Sequence, residues 1–476
     1  MRVNNFSAPR ARLGGLPADA LSSEPVRDAV VIGGGIAGLS AAWDLRNRDV
    51  VVLEGTGRLG GRIRSEARDP YWMNLGAHVF SGPGSATGRL VADVGVESVP
   101  VPGHLVALEL NGRLLVGGRP ELYPLRLPLR PAERVALARA GARLRVAVAR
   151  YERLARPRPG ESPAETRRRL LAHGDDRTFA DWLGRLPGDA DLMFRATVTR
   201  STAEPEEITE GAGTGYFALV WSSGSGLSRN IVGGAGTLID GIAAELPGRI
   251  VTDADVQEVA VEGEVVRVRY RAAGADRELR ARHAIVATKA YDAASLIRDL
   301  PVDTQSALTS IPYGPTVVMA MLTNETRPMP WDDLYALATP KRAFNMLFNT
   351  VNVLRPRSRV RAPGGSLMVY RAGHAALEMF EQPDSVVEQA FLDDLYAIYP
   401  EARGIVSETI LLKLPRMLPY AAPGRSALQP ALERRLGRIH LAGDYLGGVY
   451  TDTAISSGQE AALAVRTALQ TAESAT

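Results

Sequence analysis

The residues best able to do chemistry form a glycine-rich segment near the start of the chain and an acidic residue shortly after it. The segment reads Gly33-Gly34-Gly35-Ile36-Ala37-Gly38, and Glu54 follows 21 residues after Gly33. Glycines let a backbone approach a pyrophosphate, whose charge the N–H groups opening a helix then stabilise. A carboxylate at this distance accepts hydrogen bonds from ribose hydroxyls. The predicted dinucleotide contacts are Gly33, Gly35, Ile36, Ala37, Gly38 and Glu54.

A second run of glycines and arginines follows Glu54 immediately. Arginine gives fork-shaped, charge-assisted hydrogen bonds to phosphate, and paired glycines permit another close approach of the backbone. The predicted contacts in this run are Gly55, Arg58, Gly60, Gly61 and Arg62.

A third candidate region lies near the end of the chain. Gly443 and Asp444 follow a short apolar run, and a helix is predicted from about Thr453, with Ala454 in its first turn. The N-terminus of a helix can stabilise negative charge on a bound group. These four residues are predicted to contact the same cofactor.

Few side chains are candidates for the reaction itself. His78 could relay a proton or orient a substrate oxygen, or it could be a histidine bonded to the backbone. Tyr450 and Tyr420 could wall a substrate site, or they could be core aromatics. These three are the predicted catalytic residues. The six histidines show no metal-ligand spacing, so no metal site is predicted.

These motifs require particular elements to position them. The apolar runs 29–32 and 50–53 lack alternation, as expected for parallel strands buried on both faces, and a helix is predicted between them. Alternating runs near 255–259, 266–270 and 278–282 predict an antiparallel meander. The predicted fold class is α/β plus α+β: a Rossmann-type domain with this small meander, and a mixed α+β substrate domain.

The three motif groups resemble, in the same order, those of the superfamily of monoamine oxidases, protoporphyrinogen oxidases and phytoene desaturases. Members carry ExxxRxGGR where this chain has residues 54–62. The resemblance implies FAD, with Glu54 on the adenosine ribose, Arg62 near the phosphates and Asp444 on the ribityl–phosphate region.

The same resemblance bears on the flavin and adenine contacts. It implies that Gly76 and Ala77 pass the flavin ring and that Val256 holds the adenine through its main chain. Amine oxidases of the superfamily usually carry a lysine that holds a water at flavin N5, whereas the matching position here is Val318. This valine and two short local similarities favour the protoporphyrinogen-oxidase-like branch.

The predicted function is that of a FAD-dependent oxidoreductase, an oxidase or desaturase. A hydride passes from a substrate C–H to flavin N5, leaving C=C or C=N. The predicted substrate is a hydrophobic or polycyclic small molecule of the kind found in specialised metabolism, and oxygen or a diffusible acceptor is expected to reoxidise the flavin. Three alternatives stay open: an amine oxidase without the usual lysine, a non-redox flavin mutase, and a flavin-binding scaffold without turnover.

The composition of the 476 residues excludes several classes of protein. No cysteine is present, which rules out disulfides, thiolate zinc sites and a cysteinyl flavin, so FAD is expected to be non-covalent. A net charge of +3 argues against nucleic acid as a partner. The first residues do not resemble a secretory signal, and no apolar run reaches about 18 residues, so a cytoplasmic location is predicted.

The positions of the motifs predict two discontinuous domains after a loose N-terminal extension over residues 1–27. The FAD-binding domain is assigned to 28–84, 212–296 and 408–476, and the substrate-binding domain to 85–211 and 297–407. An Arg-rich segment runs from Arg126 to Arg169, with Leu137, Leu144 and Val148 on one helical face. It is interpreted either as a solvated helix or as a peripheral contact with a membrane or a carrier protein.

Overall fold

The computed structural model describes residues 26–102, 107–118, 122–221, 227–357, 360–448 and 450–474. The predicted N-terminal extension lies outside these residues, apart from Val26 and Arg27, and Arg27 already belongs to the first strand.

The strands are numbered in chain order. They are β1 (Arg27–Ile32), β2 (Val50–Leu53), β3 (Ser65–Arg68), β4 (Tyr71–Asn74), β5 (Phe80–Ser81), β6 (Ser98–Pro100), β7 (Ala107–Leu110), β8 (Arg113–Val116), β9 (Leu227–Ile231), β10 (Ile250–Val251), β11 (Asp255–Glu262), β12 (Val265–Ala272), β13 (Ala275–Val286), β14 (Tyr313–Thr323), β15 (Ala336–Ala338), β16 (Met346–Asn349), β17 (Gly365–Ala372), β18 (Val406–Pro419) and β19 (Ile439–Leu441).

The α-helices are numbered in the same way. They are α1 (Ile36–Asp44), α2 (Ala86–Asp93), α3 (Tyr123–Arg126), α4 (Pro131–Ala155), α5 (Pro163–Leu171), α6 (Phe179–Leu183), α7 (Gly188–Val198), α8 (Glu210–Trp221), α9 (Gly236–Ala244), α10 (Ala290–Leu296), α11 (Val302–Thr309), α12 (Asp384–Ile398), α13 (Gln429–Leu432) and α14 (Thr451–Ser474).

The first sheet combines a parallel core with an antiparallel meander, as the sequence predicts. Its strand order is β10-β2-β1-β13-β12-β11, with β19 pairing to β13. β1 is parallel to both β2 and β13, whereas β11, β12 and β13 are antiparallel to one another. Val30 and Val31 are fully buried because helices or the meander cover both faces of the parallel core. The α/β part of the fold prediction is confirmed.

The second sheet lies across the cavity from the first and has the order β18-β14-β17-β16-β15-β7-β8. Helices α4, α6, α7 and α8 pack together beside it around one apolar cluster. β18 begins at Val406 and pairs along β14, so this strand belongs to the second sheet although the predicted FAD-binding domain starts at residue 408. The division into two domains itself stays a prediction.

The Arg-rich segment folds into α3, α4 and α5. Leu137, Leu144 and Val148 are buried on one face of α4, as the sequence spacing predicts. None of the helices in the described part of the chain combines the length and apolar character needed to cross a bilayer.

Candidate functional site

One cavity of about 960 Å³ opens between the two sheets and brings most of the predicted residues together. We call one part the glycine-rich end, which is lined by Gly33, Gly35, Glu54, Gly55, Arg58, Gly60, Gly61, Arg62, Gly443 and Asp444. We call the other part the aromatic end, which is lined by His78, Arg200, Tyr216, Val318, Phe348, Met368, Tyr370 and Tyr450.

The first glycine turn joins β1 to α1 and leaves space for a ligand. Gly33 has a φ of +103°, and a Cβ there would lie 2.8 Å from the carbonyl oxygen of Ala287. A Cβ on Gly35 would meet no protein atom within 4 Å, because this residue faces the cavity. The start of α1 and this open position can receive a ligand, which is the arrangement of a pyrophosphate site.

Gly38 has a different role from the one predicted. It does not line the cavity, and a Cβ there would overlap the Gly33 carbonyl oxygen. This glycine therefore allows close packing of α1 against the turn rather than contact with the ligand. Ile36 and Ala37 do line the cavity.

Glu54 is held in place by three hydrogen bonds. One carboxylate oxygen accepts from the Gly34 N–H at 2.7 Å, and the other accepts from the Thr56 N–H at 2.9 Å and its hydroxyl at 2.7 Å. The carboxylate is thus oriented at the end of β2 and lines the cavity beside Gly55. An oriented acceptor in this position fits an adenosine ribose.

Arg62 and Asp444 form an ion pair at the centre of the cavity. The guanidinium donates to both carboxylate oxygens, at 2.6 and 2.9 Å, and also to the Met417 carbonyl at 3.1 Å. Burial acts to lower the pKa of Arg62, but the charge of Asp444 and its hydrogen bonds to the guanidinium, together with the nearby tyrosines, outweigh burial and the pKa is raised. The pair joins residues from the two ends of the chain, 382 positions apart. Arg58 lines the cavity too, while donating to the carbonyls of Leu59 and Gly61.

The last motif region supplies a tight backbone turn and a helix start. Gly443 has a φ of +155°, and its N–H donates to the Ser457 hydroxyl at 2.9 Å. Helix α14 begins at Thr451, two residues before the predicted start. Ala454 lines the cavity, whereas Thr453 does not and instead bonds through its hydroxyl to the Gly448 carbonyl.

The remaining predicted cofactor residues also line the cavity. Val256 lies on β11, and Gly76 and Ala77 follow β4. A Cβ on Gly76 would overlap the Arg62 carbonyl oxygen, so a side chain is excluded where this segment passes the arginine. The open Gly35, the oriented Glu54 carboxylate and these close backbone approaches fit a flavin dinucleotide.

His78 lies at the aromatic end with one free nitrogen. Its Nδ1 is 3.0 Å from the Gly76 carbonyl oxygen, while the buried Nε2 has no hydrogen-bond partner among the described residues. Burial lowers the pKa of His78 to about 4, and the positive charge of Arg200 adds to this effect. A neutral ring that donates from Nδ1 presents Nε2 to the cavity as an acceptor.

The two predicted tyrosines are placed differently. Tyr450 lines the cavity with a φ of +137°, and its ring lies 5.4 Å from that of Tyr216. Burial raises the pKa of both phenols well above the usual value, so both are neutral. Tyr420 is not among the residues that line the cavity, and its hydroxyl donates to Glu207 at 3.2 Å. Tyr450 therefore lines the same cavity as His78, whereas Tyr420 does not.

Several lining residues carry no motif that sequence reasoning could use. Phe348 on β16, Met368 and Tyr370 on β17, Tyr216 on α8 and Arg200 between α7 and α8 come from distant parts of the chain. Antiparallel pairing of β14, β16 and β17 brings three of these residues beside Val318. Both faces of β16 and β17 are apolar, so the sequence does not separate the residues that face the cavity from those that face the core.

Val318 occupies the cavity wall where an amine oxidase would be expected to carry lysine. It is 2% exposed on β14 and lines the aromatic end. The three lysines all lie in described segments. Lys341 and Lys413 are not in the cavity wall, and Lys289 lines it close to Ala287, which packs on Gly33 at the glycine-rich end. No lysine therefore replaces the one absent at Val318.

The Rossmann-type sheet and the glycine-rich end together form a site that fits a flavin dinucleotide. The model of the family described as flavin containing amine oxidoreductase matches residues 36–466, and the chain belongs to that family. As a member of this family it takes FAD as its cofactor, and with no cysteine among the 476 residues a cysteinyl link is ruled out.

The curated relatives match the chain over part of their length. Coproporphyrinogen III oxidase of Staphylococcus aureus is 30% identical over 21% of this chain and 21% of its own, and protoporphyrinogen oxidase of Macaca fascicularis is 40% identical over 22% and 24%. A flavin-containing monoamine oxidase of Mycobacterium tuberculosis is 26% identical over 51% of this chain and 53% of its own length. The matched part of the chain thus covers between about a fifth and about half of the length of these relatives.

Solved structures match the fold over nearly the whole chain. Cyclohexylamine oxidase from Brevibacterium oxydans superposes with a TM-score of 0.72 and 20% identity over 94% of this chain and all of that one. Wild-type putrescine oxidase bound to putrescine superposes with a TM-score of 0.72 and 17% identity, over 93% of this chain and 99% of that one. At such identities the likeness shows the fold alone.

Proposed function

We propose that the protein dehydrogenates a hydrophobic small molecule, removing a hydride from a C–H and leaving C=C or C=N. The observation that carries the proposal is the single cavity, which joins a dinucleotide site to a largely buried aromatic end. FAD, when bound, supplies the two-electron acceptor for this chemistry. The chain's own task is to place the substrate C–H and exclude water, for which apolar walls suffice.

His78 supports this function as a hydrogen-bond acceptor. Because its pKa is about 4, the ring is neutral at pH 7. Its free Nε2 can then accept a hydrogen bond from a substrate N–H or O–H group. Tyr450 and Tyr216 complete one wall, and their neutral hydroxyls offer donors beside it. A dehydrogenation of this kind requires positioning more than a protein base.

The absence of a lysine at Val318 favours desaturation of the porphyrinogen-oxidase kind over oxidation of an amine by the lysine-dependent route. The relatives include oxidases of both kinds, so the branch rests on this residue. An amine oxidase that operates without lysine is the second candidate. It is favoured by the match to a flavin-containing monoamine oxidase of Mycobacterium tuberculosis, which is 26% identical over 51% of this chain.

The decisive experiment is anaerobic mixing of the yellow holoenzyme with a panel of hydrophobic amines and of partly saturated polycyclic compounds. Bleaching of the oxidised flavin by a member of the panel, with recovery on admitting air, is the expected result. Bleaching only by amines would shift the proposal to the second candidate. Turnover that needs pre-reduced flavin would identify a mutase, and purified protein that binds FAD but is bleached by no member would contradict dehydrogenation.

Oxygen or a diffusible acceptor is the proposed oxidant of the reduced flavin, since the sequence shows a single dinucleotide motif. For the Arg-rich helices we infer a solvated surface, because α4 buries a continuous apolar face against the helical cluster. Contact with a membrane or a carrier protein stays a prediction, as does a cytoplasmic location. Co-sedimentation with anionic vesicles would test the first of these.

A further inference from the structure

Arg200 is presented to the aromatic end by an unusually well-fixed turn. It lies in a short 3-10 helix, Thr199–Ser201, whose two flanking residues are buried. The next residue, Thr202, has a left-handed backbone with a φ of +69°, a conformation that costs free energy unless the surroundings impose it. Its hydroxyl donates to the Leu418 carbonyl at 3.2 Å.

The surroundings of the turn hold it from both sides. Asn345 donates to the Thr199 hydroxyl at 2.9 Å, and the Thr202 carbonyl packs so closely on Gly314 that a Cβ there would overlap it. Such a strained and fully supported turn is characteristic of functional positions. Arg200 and Thr202 of this turn both line the cavity, and Arg200 is the one that carries a charge.

The charge of Arg200 has no acidic partner within the described part of the chain. A neighbouring arginine shows how differently a structural residue is treated. Arg195, on α7, forms salt bridges with Asp191, Glu204 and Glu206 at 3.1, 2.9 and 2.7 Å. Arg195 is thus paired with three carboxylates of the protein, whereas the charge of Arg200 is available to an anionic ligand.

The groups around Arg200 in the cavity are apolar or neutral. Phe348 and Met368 are 3% exposed, and burial raises the pKa of Tyr216 and Tyr370, so these phenols carry no charge at pH 7. These four side chains line the cavity together with Arg200, and the positive charge of Arg200 opposes the rise in the pKa of both phenols. Arg200 is half-buried, and a ligand of opposite charge would stabilise a cation with such neutral neighbours.

We propose that the substrate carries a carboxylate, or an equivalent anionic group, that binds Arg200 while its apolar body fills the aromatic end. The proposal rests on the proposed function, since it names the substrate class of the same site: a hydrophobic acid. The fork of guanidinium N–H groups matches a carboxylate in a way that a neutral amide cannot. Arg200 is then a specificity-determining residue that sets the position of the C–H to be oxidised.

Binding of small acids to the holoenzyme tests this without any turnover. The probes are benzoate, 3-phenylpropionate and decanoate, each paired with its neutral amide, and the readouts are calorimetry and the change that a bound ligand makes in the flavin spectrum. We expect at least one acid to bind roughly 10- to 100-fold more tightly than its amide. Equal affinities within every pair, or no binding of any acid, would overturn the proposal.

Substitutions then assign the preference to this residue. In R200M the preferred acid should lose its advantage over the amide, and in R200K it should keep part of it, because the charge remains but the fork is lost. R139M, which removes an exposed arginine of α4, is the matched control and should leave the preference unchanged. A preference that survives in R200M would assign the anion site elsewhere and refute the role of Arg200.

The two proposals can fail separately. If acids bind through Arg200 but neither acids nor neutral compounds ever bleach the flavin, dehydrogenation is wrong and the anion site stands. If neutral compounds bleach the flavin and acids do not bind, the reverse holds. The wild-type acid and amide affinities need no variant, so a poorly folding R200M does not stop the test.

Discussion

The two ends of the cavity are built by different means. The glycine-rich end is made mainly of backbone, with turns whose glycines exclude side chains and with carboxylates such as Glu54 fixed by hydrogen bonds. The aromatic end is made of side chains from distant parts of the chain. Among the described residues, its His78 Nε2 has no hydrogen-bond partner and its Arg200 guanidinium has no acidic partner. One end is therefore specified for a constant ligand, and the other keeps its polar groups for a variable one.

The largest expected effect is at the glycine-rich end, where Arg62 pairs with Asp444. Asp444→Ala should lower the free energy of unfolding by about 3 kcal/mol, because it leaves a partly buried guanidinium without its carboxylate. The measurement is urea unfolding of the apoprotein, with FAD affinity as a second readout.

The double variant Arg62→Met/Asp444→Leu separates charge from packing. It should be more stable than Asp444→Ala, because no uncompensated charge remains. If the double variant lost as much stability as the single variants Arg62→Met and Asp444→Leu lose in sum, the pair would not be coupled. In either case FAD affinity should fall, since both residues line the glycine-rich end.

Acid should destabilise the aromatic end through His78. Its pKa is about 4 in the folded protein and about 6.5 when unfolded, so the unfolded state binds more protons between these values. Stability is then complete above about pH 6.5 and falls as the pH drops towards 4, by up to about 3 kcal/mol. His78→Gln should flatten this part of the stability profile.

The control for that experiment is His374→Gln, which replaces a histidine whose side chain is 58% exposed. It should leave the acid limb of the stability profile in place. If His78→Gln also leaves it unchanged, the histidine is not buried as a neutral group, and its role as a hydrogen-bond acceptor fails with it.

Two glycines distinguish ligand contact from internal packing at the glycine-rich end. Gly35→Ala adds a methyl group to open cavity space, so FAD affinity should fall about tenfold while the apoprotein melts at nearly the wild-type temperature. Gly38→Ala forces a methyl group onto the Gly33 carbonyl and should lower the melting temperature of the apoprotein itself. Similar behaviour of the two variants would remove the distinction.

The difference between the ends also explains how far the sequence could be used. The cofactor contacts from Gly33 to Arg62 are adjacent in the chain, so spacing alone predicts them, and the first sheet follows from unbroken apolar runs. Gly38 was assigned to the ligand because a motif does not separate packing glycines from binding glycines. The two kinds differ only in what a Cβ would meet.

The aromatic end was largely beyond sequence reasoning because tertiary contacts define it. Arg200 is one of 53 arginines, since only three of the 56 basic residues are lysines, and nothing local distinguishes it from Arg195. Its role depends on which acidic groups lie near it after folding. Tyr420 illustrates the same limit of sequence reasoning. Its position in a local motif made it a candidate, but it lies outside the cavity wall.

The smallest expected effect uses the two tyrosines that the sequence could not separate. Tyr420→Phe removes a hydroxyl bonded to Glu207 and should cost about 1 kcal/mol of stability without changing turnover. Tyr450→Phe removes a buried hydroxyl that forms no hydrogen bond of normal geometry with the described residues. The free energy of unfolding should therefore change by less than about 0.5 kcal/mol. If Tyr450 faces the substrate, its variant should instead alter KM or kcat for a substrate that bleaches the flavin. A change in turnover in Tyr420→Phe and none in Tyr450→Phe would contradict the assignment of Tyr450, rather than Tyr420, to the cavity wall. Because the substitutions are identical and only the surroundings differ, the pair measures what the cavity itself contributes.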